Sequence, residues 1–256
     1  MPNQKILYIT TEMFPYQEDS SMAAMVSKMA LKMHGAGNDV RVFMPRFGII
    51  SERKFQLHEV IRLSGMNIII NDLDQPLIIK VASLPGERLQ VYFIDNEEYF
   101  KRKSFYKDDE GTTYDDNGER AIFFARGVIE TIKKLNWVPD VIHLNGWMSS
   151  MIPIYLKTYY KNDYYFKNTK IVLSLYNEEN LPLEADLGNK LKFDNITDFE
   201  TVKKPGFQDV VVGSLKYVDV VVKGDEFLDG GLDKAFAKIK TEKSEYMDSQ
   251  SIETIY

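Results

Sequence analysis

The densest local grouping of chemistry-bearing residues is His143-Leu-Asn-Gly-Trp147. A histidine moves protons near neutral pH, an asparagine offers donor and acceptor, and an indole presents a flat apolar face to a ring. The group follows a short apolar run and opens a helical pattern, so it falls at the carboxyl end of a strand. A buried histidine bonded to its surroundings has the same signature, and residue types alone leave both readings open. His34 and His58 are remote in sequence, so no histidine pair has metal-ligand spacing. Asp108-Asp-Glu-Gly111 and Asp115-Asp-Asn-Gly118 miss the calcium-loop register and read as solvated loop. The Gly-rich phosphate loops and the G-x-S-x-G elbow do not occur. With no cysteine there is no thiolate nucleophile and no disulfide. Neither a metal site nor a cofactor is expected.

The chain has 256 residues, with 32 Lys+Arg against 38 Asp+Glu and a formal charge of −6. That balance argues against duplex nucleic acid, which calls for a concentrated basic face, but permits a local anion site. No stretch approaches the roughly 18 apolar residues of a membrane span, and the first apolar run is too short for a signal-peptide core. The expectation is therefore a soluble, cytoplasmic protein with no membrane partner.

The elements that would position the grouping alternate between two periods. Lys5–Thr10 reads as a buried strand. Met22, Met25, Val26, Met29, Ala30 and Met33 then recur at helical spacing after the capping types Asp19, Ser20 and Ser21. The methionine stripe faces a core rather than a ligand. Residues 40–44 form the next strand. Residues 55–63, 66–70, 77–84 and 89–94 read as short β-runs of an inserted hairpin or meander spanning 51–95. A short helix at 95–101 and a loop at 107–116 follow. Beyond them come a helix over 117–135, a strand at 140–144, a helix over 147–160 and a strand at 170–175. Residues 178–200 read mostly as loop. The remaining elements are a helix at 207–216, a strand at 218–222 and a helix at 225–239. Residues 241–256 form a polar, frayed tail. This alternation predicts an α/β fold with a doubly wound parallel sheet, as one domain over 1–240. Ligands of such sheets bind beyond the strands' carboxyl ends.

Several segments together resemble the glycogen/starch synthase family, glycosyltransferases of family 5. They are Lys5-Ile-Leu-Tyr-Ile-Thr-Thr-Glu12 with Pro15, Asp39-Val-Arg-Val-Phe-Met-Pro-Arg-Phe-Gly48, Val91-Tyr-Phe-Ile-Asp95, Tyr114-Asp-Asp-Asn117, Trp137-Val-Pro-Asp-Val-Ile-His-Leu-Asn145 and Tyr217-Val-Asp219. The resemblance implies a Rossmann-like sheet, the N-terminal half of a GT-B enzyme that transfers glucose from ADP-glucose to an α-1,4-glucan. In that family a second domain supplies most of the grip on the nucleotide sugar, and residues 226–256 do not resemble it.

Departures from the family cluster where the cleft is expected. The family's Lys-x-Gly-Gly-Leu-x-Asp becomes Glu18, Ser20, Ser21, Met22 and Ala24. Glycines there let a helix N-terminus approach a diphosphate and the lysine adds positive charge; Glu18 reverses that sign. His-x-Asn-Asp-Trp-His keeps His143, Asn145 and Trp147 but has Gly146 and Met148, and a thioether cannot do a histidine's polar work. Tyr176, before Asn177, stands where the family has another histidine, and Val-Ser-Pro becomes Lys223-Gly-Asp225. Asp116, Asn117 and Arg120 remain from a wall segment.

No catalytic residue is convincing in this set. Two functions stay open. One is a degenerate, non-catalytic protein binding an α-glucan, a small anion or a partner chain, with Tyr16, Trp147 and Tyr176 available to stack on sugar rings and a homodimer covering the cleft wall. The other is a glycosyltransferase half working with a separate second-domain chain.

Overall fold

The computed structural model describes residues 3–17, 20–199, 203–246 and 251–256. In chain order the elements are β1 (Lys5–Thr10), α1 (Ser21–Gly35), β2 (Asp39–Pro45), α2 (Glu52–Phe55), β3 (His58–Glu59), β4 (Met66–Ile70), β5 (Leu73–Ser83), β6 (Gln90–Asp95), α3 (Glu97–Phe100), α4 (Asn117–Leu135), β7 (Val141–Asn145), α5 (Met151–Lys157), β8 (Lys170–Leu175), α6 (Leu187–Phe193), α7 (Phe207–Ser214), β9 (Val220–Lys223), α8 (Gly230–Lys238) and β10 (Glu242–Ser244). The sheet runs β10-β9-β8-β7-β1-β2-β6-β5-β3, with β4 paired to β5. It is parallel from β10 to β6 and antiparallel from β6 to β3. This is the α/β, doubly wound arrangement that the alternating periods predict.

β1 lies at the centre because it can be buried on both faces: Ile6, Leu7, Tyr8 and Ile9 are fully buried. It pairs Tyr8 with Val42 on one side and His143 on the other. α1 starts where Ser20 Oγ accepts from the Ala23 N–H at 3.1 Å, which fixes its first turn at the carboxyl end of β1. Its methionine face packs inward, with Met22, Met29 and Met33 buried. The inserted meander is real but narrower than 51–95. The 89–94 run is β6, inside the parallel sheet against β2, and β5 continues that sheet antiparallel.

Four readings are corrected. Residues 55–63 are not a β-run but the end of a one-turn helix and a two-residue strand, because Gln56 takes a left-handed φ of 53° that breaks the extension. The 147–160 helix begins as a 3-10 turn, Trp147–Ser150, and α5 ends at Lys157. The 178–200 loop contains α6, whose Leu187 and Leu191 are fully buried. The last helix starts at Gly230 rather than 225. The tail is also more than frayed chain. β10 extends the sheet beside β9, Ile252 and Ile255 are buried, and Lys170 Nζ donates to the Ile255 carbonyl at 2.5 Å. Polar composition hid these because two isoleucines in a hydrophilic segment show no period.

Candidate functional site

Beyond the carboxyl ends of β1, β8 and β9 lies a pocket of about 410 Å³. The lining residues are Glu12, Ser20, Ser21, Met22, Phe105, Tyr106, Tyr176, Asn177, Glu178, Glu179, Leu181, Phe207 and Asp225. Strand direction explains the set. Glu12 follows β1, Tyr176 to Glu179 follow β8, and Asp225 follows β9. The first turn of α1 brings Ser20 and Ser21.

Four carboxylates face this space, and none of the lining residues is a lysine or arginine. Lys107 stands outside the lining and is spent on Glu179, with Nζ at 2.6 and 2.7 Å from its two oxygens. Glu178 is part-buried, and its Oε2 accepts from the Trp147 backbone N–H at 2.7 Å. Burial, with the Glu12 carboxylate adding to it, pushes the Glu178 carboxyl up to about 8, against the pull of the Trp147 N–H. Burial raises Glu12 as well, partly offset by the Ser20 hydroxyl. At neutral pH Glu178 therefore holds a proton and can donate as well as accept.

That proton has a stability consequence. The folded state binds it up to about pH 8, whereas an unfolded glutamate releases it near 4.3. Between those values the native chain holds more protons, so stability falls as pH rises, by up to about 1.4 kcal/mol per pH unit. Glu178→Gln is expected to flatten this part of a melting-temperature profile and to exceed the unmodified chain at pH 8. Parallel profiles for the two proteins would contradict the assignment.

The candidate residues separate into two groups. Ser20, Ser21, Tyr176 and Asn177 are brought together in the pocket. Glu18 lies outside the described residues. Asp116, Asn117, His143, Asn145, Trp147 and Met148 do not line it. His143 is fully buried inside the sheet: Nε2 is 2.7 Å from Ser174 Oγ and Nδ1 is 2.6 Å from Tyr256 Oη, which bonds on to Tyr8 Oη. Burial lowers its pKa to about 3, which holds the imidazole neutral in a structural role. Asn145, also buried, accepts from Tyr176 Oη at 3.2 Å and donates to the His143 carbonyl.

Trp147 is fully buried and stacks on Phe207 at 3.8 Å and 15°, so it is not available to a sugar. Tyr16 is buried between Phe55 and Phe93. Met148 fills the interior. The surviving Asp–Arg pair is Asp116 with Arg102, at 2.6 Å, rather than with Arg120, whose Nη1 donates to Asn117 Oδ1 and the Phe105 carbonyl.

Sequence reasoning passed over Glu12, Glu178, Glu179, Tyr106 and Phe207. The available signal was position: each acidic one follows a strand's carboxyl end. Among the described residues no group of three or more His, Cys, Asp or Glu is placed to hold a metal ion.

Comparison with known proteins gives the family. The profile of the starch synthase catalytic domain matches residues 5–226. The chain belongs to that family. A glycogen synthase of Chlorobium luteolum is 39% identical over 176 residues, covering 68% of this chain and 36% of that protein. One of Chlorobium chlorochromatii is 37% identical over 186 residues, covering 71% and 38%. The chain thus spans little more than a third of the length of the curated relatives it matches. The catalytic domain of starch synthase IV from Arabidopsis thaliana, solved bound to ADP and acarbose, superposes with a TM-score of 0.75. The match covers 96% of this chain and 52% of that one at 15% identity, which shows that this chain shares the α/β fold of about half of that GT-B-type catalytic domain. Among the described residues, no helix is long and apolar enough to cross a membrane.

Proposed function

We propose that this glycogen-synthase-like chain binds a neutral α-glucan segment in its cleft and does not by itself hold the diphosphate of ADP-glucose. One observation carries the reading: four carboxylates and the rings of Phe105, Tyr106, Tyr176 and Phe207 line the pocket without a cation. Glycosyl transfer leaves negative charge on the departing diphosphate, and its stabilisation requires preorganised cations or N–H donors. A diphosphate entering here meets no lining cation, and the carboxylates other than the protonated Glu178 add like charge. Sugar hydroxyls suit the same wall, because carboxylates accept from them and aromatic faces cover the apolar side of a pyranose.

Melting curves with maltoheptaose and with ADP-glucose test this. A ligand at about 100 times its dissociation constant adds roughly 2.7 kcal/mol. Maltoheptaose is expected to raise the melting temperature by several degrees and ADP-glucose to leave it unchanged. A shift with ADP-glucose alone sinks the reading.

The extent of the match favours a second reading, a transferase half whose diphosphate-facing cations come from a second domain. It requires glucose transfer to appear when a chain carrying that domain is added.

A further inference from the structure

The pole opposite the cleft carries a second cavity. α5 ends at Lys157 and β8 begins at Lys170, and the segment between them lines a hollow of about 450 Å³ at the amino end of β8. Its floor is apolar, with Leu156, Phe166 and Ile171 all buried. Its rim is cationic, formed by the exposed Lys157, Lys161 and Lys167. Among the described residues no carboxylate pairs with any of the three. The one carboxylate of the lining, Asp163, is already engaged: Oδ2 lies 2.9 Å from Lys133 Nζ, and Oδ1 accepts from the Tyr165 N–H at 2.9 Å. A hollow of this kind suits a protruding apolar side chain flanked by negative charge.

The chain presents such a group at its other pole. The turn after β9 reads Asp225-Glu-Phe-Leu-Asp229. Phe227 is 78% exposed, and Glu226 and Asp229 on either side of it are exposed as well. The turn is held in shape: Asn177 Nδ2 donates to the Phe227 carbonyl at 2.6 Å, and the Asp229 N–H donates to Asn177 Oδ1 at 2.7 Å. Asp225 Oδ2 accepts from the Asn177 N–H at 2.7 Å. A lone exposed phenylalanine is ordinary on a surface. One pinned between two exposed carboxylates loses little freedom on docking, which is what an interface anchor requires.

We propose that these two surfaces bind each other between copies of this chain. Phe227 of one molecule enters the hollow over Leu156, Phe166 and Ile171 of the next, and Glu226 and Asp229 face Lys157, Lys161 and Lys167. The two patches differ and lie at opposite ends of the sheet, so the contact is head to tail and extends to a ring or a filament. The turn starts at Asp225, which lines the cleft, so a docked neighbour stands at the rim of that cleft. The inference does not depend on what the cleft binds.

Sedimentation velocity on the full chain tests this. The unmodified protein is expected to associate as its concentration rises. Phe227→Ser and the double variant Lys157→Glu/Lys161→Glu are each expected to weaken association at least about tenfold. These substitutions fall on exposed side chains, and circular dichroism checks that each variant is folded. Mixing the variants reads the geometry. The serine variant keeps its hollow and the double variant keeps its turn, so an equimolar mixture is expected to form a 1:1 pair that neither forms alone, and to stop there. The inference is overturned if the unmodified chain stays monomeric up to about 1 mM, and binding of a random Glu–Tyr copolymer by that monomer would assign the hollow to another protein. It is overturned equally if the chain associates and neither variant weakens it, or if the mixture fails to recover the pair.

Discussion

Gly146→Ala is expected to cost about 3 kcal/mol or more of unfolding free energy, a loss of roughly 6–12 °C in melting temperature. Gly146 joins β7 to the 3-10 turn with φ 87° and ψ 152°, a region open in practice only to glycine. A Cβ added there would lie 2.2 Å from Thr11 Oγ1 and 3.2 Å from both Thr11 Cβ and Cγ2. Rotating Thr11 moves the hydroxyl away but leaves the 3.2 Å contact to its Cβ. Thr11 is itself fully buried, and its N–H donates to the Asn145 carbonyl at 3.3 Å, so the backbone cannot retreat either. Thr11→Ala in the alanine background should recover the steric part and leave the backbone cost of roughly 1–3 kcal/mol. A single-variant loss below about 1 kcal/mol would show that the turn relaxes, contrary to this geometry. The aspartate of the family pattern carries a Cβ too. Restoring it here meets the same wall, so this departure is built into the packing.

The strands and helices that carry the fold were legible because each repeats one period over a buried face. β1, with every residue from Ile6 to Ile9 buried, and the methionine face of α1 are the clearest cases. β6 was misplaced into an insertion because a run of apolar residues does not reveal its neighbour in the sheet. The site was legible only in outline. That Ser20, Ser21, Tyr176 and Asn177 share a pocket follows from topology, since all lie at the carboxyl end of the sheet or directly across from it. The inward turn of His143 and Trp147 was not legible. The same residues suit a cleft or a core, and what decides is whether Ser174 and Tyr256 stand within 2.7 Å of the imidazole. Those partners are 31 and 113 residues away, beyond any local pattern. Glu178 escaped notice for the reverse reason: a glutamate in a polar loop looks solvated until the fold buries it.

Arg120 is a buried cation without an ion pair of its own, and replacing it separates packing from charge. Its side chain is fully buried; Nη1 donates to the Phe105 carbonyl at 2.7 Å and to Asn117 Oδ1 at 2.6 Å, while Nε and Nη2 find no acceptor among the described residues. Phe47, Phe100 and Tyr114 surround the guanidinium at 5.4–5.7 Å from their ring centroids. Burial lowers its pKa to about 10, opposed by the Asp116 carboxylate. Asp116 is already engaged by Arg102, so the charge is stabilised by rings and two neutral acceptors rather than by an ion pair of its own. Arg120→Ala empties a large volume and orphans both acceptors, and is expected to cost about 3–5 kcal/mol. Arg120→Met keeps most of the volume and removes a charge that is expensive to bury, so its cost should fall below that of alanine by about 2 kcal/mol. Urea unfolding of both variants reads the difference. Equal losses would mean that the positive charge itself holds the wall between α4 and the cleft together. Tyr106, whose ring lines the pocket and lies within Coulombic reach of Arg120, Glu12 and Glu178, would then be where that charge acts on the site.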